Sequence, residues 1–155
     1  MNPDMYSVRQ WSVRHSRGLE LFYNLFERVL VRLHPVFNFI GYDRLERPVA
    51  AIERLVKGVL FDCKMCGECM LSSSGMSCPM NCPKTLRNGP CGGVRPDGGC
   101  EVKPEMQCVW LDAWQGAQHM RAGAAAIKTI QIAVDARHQG QSSWLRIARQ
   151  RNGVE

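Results

Sequence analysis

All eight cysteines of this 155-residue chain fall between Cys63 and Cys108. They stand at Cys63, Cys66, Cys69, Cys78, Cys82, Cys91, Cys100 and Cys108, so the run opens with three cysteines two residues apart. Three chemistries use such a cluster. Disulfides need an oxidising compartment. The N-terminal stretch MNPDMYSVRQWSVRHSRG has neither the apolar run nor the cleavage site of a secretory leader. Cytoplasmic placement with reduced thiols is therefore the expectation. Zinc takes four ligands, often as two short hooks. Cys63/Cys66 and Cys78/Cys82 could supply them, leaving Cys69, Cys91, Cys100 and Cys108 for a second site. Cys69 has an odd place in that scheme, because a hook uses two cysteines and not three in tandem.

Iron–sulfur chemistry accounts for the tandem better. Cys63, Cys66 and Cys69 follow the ferredoxin-type spacing, in which successive thiolates take different irons of one cubane. The last cysteine of such a run is usually followed by proline, and here Pro79 follows Cys78 and Pro83 follows Cys82. All eight cysteines are candidate ligands, enough for two [4Fe–4S] clusters, with a single cluster as the alternative. The spacing places Cys63, Cys66 and Cys69 on the same cluster and leaves the fourth ligand open. Met65, Met70, Met76 and Met80 lie among the cysteines and could form a soft apolar shell, or simply fill core.

The fold class expected is mainly α, with a loop-rich, cysteine-ligated iron–sulfur module between helical segments. Residues 1–61 read as an N-terminal arm and helices, 62–108 as the module and 109–155 as a C-terminal helical docking segment, together one compact domain. Residues 1–17 have no clear periodicity and read as an arm or a frayed terminus. Residues 19–34 form an amphipathic helix: Leu19, Phe22, Leu25, Phe26, Val29, Leu30 and Leu33 recur at helical spacing. That stripe reads first as core and second as an interface for a larger subunit. Pro35 ends it, residues 36–47 connect, and Pro48 opens a second helix running to about Lys57 and ending at Gly58. Val94 could pair with residues 101–103 as a minimal hairpin. Residues 109–137 read as helix with a break near Gly123. Residues 141–150 form a final helix capped by Ser142 or Ser143, with Trp144, Leu145 and Ile147 suited to docking. Lys84 and Arg87 read as solvated surface or as screening for cluster charge.

The net charge is +6. Two tetrathiolate cubanes, each carrying about two negative charges in the oxidised form, would offset much of it. No run of Lys and Arg with interleaved aromatics appears, so nucleic acid is not an expected partner. No apolar stretch is long enough to predict a membrane span. His15, His34, His119 and His138 are scattered. No nucleophile–base set or paired carboxylates stand out, and no catalytic site is expected.

The string formed by Cys63, Cys66, Gly67, Cys69, Cys78, Pro79, Cys82, Pro83, Lys84, Leu86, Asn88-Gly89-Pro90-Cys91-Gly92-Gly93, Cys100-Glu101-Val102 and Cys108-Val109-Trp110 resembles the C-terminal cysteine-rich domain of methylenetetrahydrofolate reductases, a family that includes small MetV-type subunits. The resemblance covers residues from about 60 to 112. It implies an iron–sulfur electron-transfer subunit in a hetero-oligomer with a flavin-bearing TIM-barrel reductase subunit, FMN or FAD residing only in that partner. The chain is too short for a barrel of its own, which needs about 200 residues or more. The alternative is a zinc- or cluster-folded scaffold that stabilises the partner enzyme without redox chemistry.

Overall fold

The structure, a computed structural model, describes residues 3–154. It is mainly helical, and its only β pairing among the described residues is two isolated antiparallel bridges. The N-terminal third runs through four helices, α1 (Pro3–Arg14), α2 (Ser16–Arg32), α3 (His34–Ile40) and α4 (Tyr42–Phe61). After the cysteine module come α5 (Val109–His119), the single turn α6 (Gly123–Ala126) and α7 (Ser143–Arg151).

The first helix departs from the expected arm. Its inward face is largely polar beside buried Val13: Ser12 is fully buried and its Oγ donates to the Leu60 carbonyl at 2.6 Å. The Gln10 amide donates to Asp112 on α5 at 2.7 Å, and buried Arg9 lies 3.8 Å from the same carboxylate. Pro35 does break the chain, but only to start α3 with proline in its first turn. The connector expected over 36–47 is thus largely helical. Gly41, at φ 95, makes the next break, so α4 begins at Tyr42, passes through Pro48 and ends at Phe61 rather than near Gly58. Asp62 then adopts the left-handed conformation, and the Cys63 N–H bonds back to the Lys57 carbonyl at 3.2 Å. This helix-end closure delivers Cys63 directly from the last turn of α4.

The two long helices turn most of their apolar stripes away from the core, although Leu30 is buried and Leu19 packs on the Tyr23–Phe61 cluster. Buried on α2 are Ser16, Glu20, Tyr23 and Leu30; buried on α4 are Tyr42, Ala50, Glu53, Lys57 and Phe61. The apolar stripes look outward: Phe22 is 65% exposed and Leu55 69%. Leu25, Val29, Ile52 and Val59 are exposed as well. The reading of the α2 stripe as core is therefore corrected. The backbones of α2 and α4 lean on α7 rather than on each other, leaving an open groove between them with Trp144 of α7 as part of its floor.

The core sits instead on the cysteine module. Tyr23 and Phe61 meet Leu71, Met76, Cys78 and Met120 in one buried cluster, and Met70 packs with Trp110 and Ala113 in a second. The hairpin is realised as a bridge from Val94 to Cys100, one residue before the expected partners, and another from Gly99 to Gln107. The helix expected over 109–137 ends at His119, resumes for α6 only, and gives way to an irregular segment. That segment is tied down by Asn88, whose side chain donates to the Gln131 carbonyl at 2.9 Å and accepts from its N–H at 2.7 Å. The last helix is capped by Ser142, which accepts from the Leu145 N–H. Its Trp144 and Leu145 are buried within the protein, so these two side chains are not a free docking tail.

Candidate functional site

Cys63, Cys66, Cys69 and Cys78 line one pocket, together with Met65, Met70, Met80, Leu71, Lys57 and Arg87. The tandem run turns through Met65 and Gly67, both at positive φ, and a second turn ending at Met76 brings Cys78 back against it. Met65, Met70 and Met76 are buried, so the thiols face a soft, dry wall. Burial pushes the Cys63 thiol up to about 11 and the Cys78 thiol up to about 12; neighbouring cysteines of the same set add to both. In the absence of an electrophilic ligand these two thiols stay protonated at neutral pH.

Buried cations flank the thiols. Lys57 and Glu53 are each 1% exposed. The Lys57 ammonium donates to Glu53 Oε1 and to Ser143 Oγ, both at 2.7 Å. Burial alone would lower its pKa, but the Cys69 sulfur, Tyr23 and Glu53 together hold it above the ordinary lysine value. The Tyr23 hydroxyl donates to Cys69 Sγ at 3.4 Å. Burial first, then the nearby Cys69 charge, raises the Tyr23 pKa well above the usual phenol value, so the hydroxyl stays a donor. On the other side Arg87 is buried, not solvated as expected: it donates to the Glu68 and Ile132 carbonyls, each at 3.1 Å, and Nη1 stands 4.0 Å from Cys66 Sγ. Glu68, between Cys66 and Cys69 in sequence, holds His138 at 3.1 Å and Arg146 at 2.9 Å, which fastens the C-terminal segment over the run.

Cys82, Cys91, Cys100 and Cys108 lie outside this pocket. Cys100 and Cys108 belong to the bridged loop, through Cys100 N–H to Met106 and Cys108 N–H to Gly98, both at 2.9 Å. Cys91 Sγ lies 3.7 Å from Glu101, which is ion-paired with exposed Lys84. Of the histidines only His138 approaches the pocket's surroundings. Spacing alone pointed to the tandem cysteines; the contributions of Tyr23, Lys57, Arg87 and Glu68 depend on tertiary contacts from sequence-distant segments.

Among the described residues no group of three or more His, Cys, Asp or Glu side chains is gathered tightly enough to hold a single metal ion. A tetrahedral zinc draws four sulfurs to about 2.3 Å from one point. A cubane takes one thiolate at each of four irons, so its ligands surround a body rather than a point. Four cysteines border one pocket, with methionine walls and two buried cations beside them.

The fold and this pocket define a helical protein organised around a cysteine-rich loop module. A scan of protein families matches residues 42–137 to the one described as methylene-tetrahydrofolate reductase C terminal. That span is well over half the chain, which therefore belongs to this family. Neither a curated protein nor a solved structure matches it. The matched span holds all eight cysteines, Lys57 and Arg87 but begins after α1 to α3, so Tyr23 reaches the pocket from outside it.

Proposed function

We propose that this protein is an iron–sulfur electron-transfer subunit working with a flavin-bearing methylenetetrahydrofolate reductase subunit. Cys63, Cys66, Cys69 and Cys78 are the ligands of one [4Fe–4S] cluster; Cys82, Cys91, Cys100 and Cys108 supply a second. The observation that carries this reading is the four-cysteine pocket, apolar at its walls and flanked by Lys57 and Arg87. When bound, such a cluster supplies one-electron chemistry. The chain's own residues do the rest. The methionines exclude water, Lys57 and Arg87 balance thiolate charge, and Tyr23 donates a hydrogen bond to a ligand sulfur, all of which bear on a cluster's potential. The family described above supports the reductase context, and the flavin belongs to the partner.

The test is metal and acid-labile sulfide content of anaerobically purified protein, co-expressed with the reductase subunit. About eight iron and eight sulfide per chain fits two cubanes, and about four of each fits the four-cysteine pocket alone. Zinc without sulfide would remove the redox role and leave a metal-folded scaffold for the reductase.

A further inference from the structure

The tandem cysteine run is gripped by a segment far along the chain. Four residues separate its three cysteines: Lys64, Met65, Gly67 and Glu68. Each of them meets the stretch from His138 to Gly140. The Gln139 side-chain amide donates to the Lys64 carbonyl at 2.9 Å, and the Gly140 N–H donates to the Met65 carbonyl at 2.7 Å. His138 Nδ1 stands 3.1 Å from Glu68 Oε1. Gly67, at φ 75, packs so tightly that a β-carbon there would come within 2.5 Å of the His138 carbonyl oxygen. Gln141 and Ser143 then border the cysteine pocket itself.

The strap over residues 136–141 is fixed at both ends and lightly held between them. Upstream, Asn88 and Arg87 hold Gln131 and Ile132. Downstream, Ser142 and Ser143 are buried against Glu53. Between these anchors Ala136, Arg137, Gln139 and Gln141 are exposed, and no residue of 136–141 is buried. The grips on the run are polar, and a hydrogen bond beside solvent contributes little net stability. A segment with few buried apolar contacts opens locally while the rest of the molecule stays folded. Gly140, at φ 85 and with no atom nearer than 3.9 Å to a β-carbon, supplies a pivot beside the buried serines. Cys66 and Cys78 are buried, so their sulfurs meet solvent through such an opening.

We infer that residues 136–141 form a gate over the cysteine run. Closed, it fixes the turn through Met65 and Gly67 and covers the thiols; open, it admits the iron and sulfide that they bind. The second half rests on the function proposed above, and the first does not. The experiment is iodoacetamide alkylation of the full chain, reduced and metal-free, followed cysteine by cysteine by peptide mass spectrometry. Wild type is compared with His138→Ala/Gln139→Ala, which removes two grips, and with Gly140→Ala, which strains the positive φ of the closed strap and removes no side chain. Both variants are expected to speed alkylation of Cys63, Cys66, Cys69 and Cys78, the double variant by about tenfold, the scale of two polar contacts. Cys91, Cys100 and Cys108, which lie outside the pocket, keep their wild-type rates. In iron-loaded protein, loss of iron to a chelator accelerates by a similar factor. Wild-type rates at the pocket cysteines in both variants would overturn the gate. So would equal acceleration of all eight cysteines with a lowered urea midpoint, the mark of general loosening. A wild type that takes up no iron but keeps the alkylation pattern removes the proposed function and leaves the gate standing.

Discussion

The carbonyl of Gly75 lies against the α-carbon of Gly116, so close that a β-carbon on Gly116 would overlap the Gly75 oxygen. This contact seats the loop between Cys69 and Cys78 directly on the backbone of α5. Ser16 at the start of α2 donates to the Gly116 carbonyl at 2.8 Å, so three elements meet at one residue. Gly116→Ala forces the loop and helix apart. The expected destabilisation is about 1–3 kcal/mol, the usual penalty for overpacking a close contact. It also loosens Cys78, so iron content falls with the denaturation midpoint, whereas Gly92→Ala, at an open position, leaves both unchanged.

Glu53 is the second point where the fold and the pocket share a residue. One carboxylate accepts from Lys57, Ser142, Ser143 and the Trp144 N–H, joining α4 to the start of α7. Glu53→Ala leaves the Lys57 ammonium buried without its counter-charge and strips the helix start of an acceptor. The expected loss is about 3–5 kcal/mol in urea unfolding. Removing both charges in Glu53→Leu/Lys57→Met recovers only part of it, because the α7 contacts stay broken. Full recovery would show that the ion pair alone mattered.

These two relationships also mark how far the sequence could be read. Cysteine spacing is local, so the gathering of Cys63, Cys66 and Cys69 at one pocket was legible, and the Ser142 cap needed only its neighbours. The direction in which α2 and α4 face was not. Periodicity locates an apolar stripe but does not say whether the chain itself covers it, and here the polar contacts of Glu20, Ser12 and Glu53 decide the orientation. Glu53 and Lys57 look like any solvated pair four residues apart. Arg87 looks like surface until the Ile132 carbonyl, 45 residues on, is brought to it. Gly75 and Gly116 meet across 41 positions, which no motif records.

The raised thiols give the metal-free protein a distinctive pH response. Cys63 and Cys78 ionise near the ordinary 9 when unfolded and near about 11 and about 12 when folded. Below pH 9 both states hold these protons, and the stability associated with them is intact. Between about 9 and 12 the unfolded chain releases protons that the folded chain keeps, so stability falls as pH rises. Reduced, metal-free protein is expected to lose denaturation midpoint steadily above pH 9. Cys63→Ser/Cys78→Ser, which removes both titrations, flattens that decline. An equally steep decline in the double variant would assign it to other groups.

Tyr23 carries the last prediction, because it joins helix α2 to the Cys69 sulfur. Its hydroxyl is the donor to Cys69; with Cys69 as a cluster ligand, as proposed, the reduced form, with more charge on sulfur, gains more from the donor than the oxidised form does. Tyr23→Phe keeps the ring that packs on Phe61 and Met76, so folding and iron content stay at wild-type levels. At a fixed electrode poise the ratio of reduced to oxidised cluster is expected to fall about fivefold, equivalent to ~1 kcal/mol for one hydrogen bond. Spectroelectrochemical titration of the loaded protein reads this directly. An unchanged midpoint with full iron content would make Tyr23 a packing residue only, and a colourless wild type would instead point to the scaffold reading of the whole module.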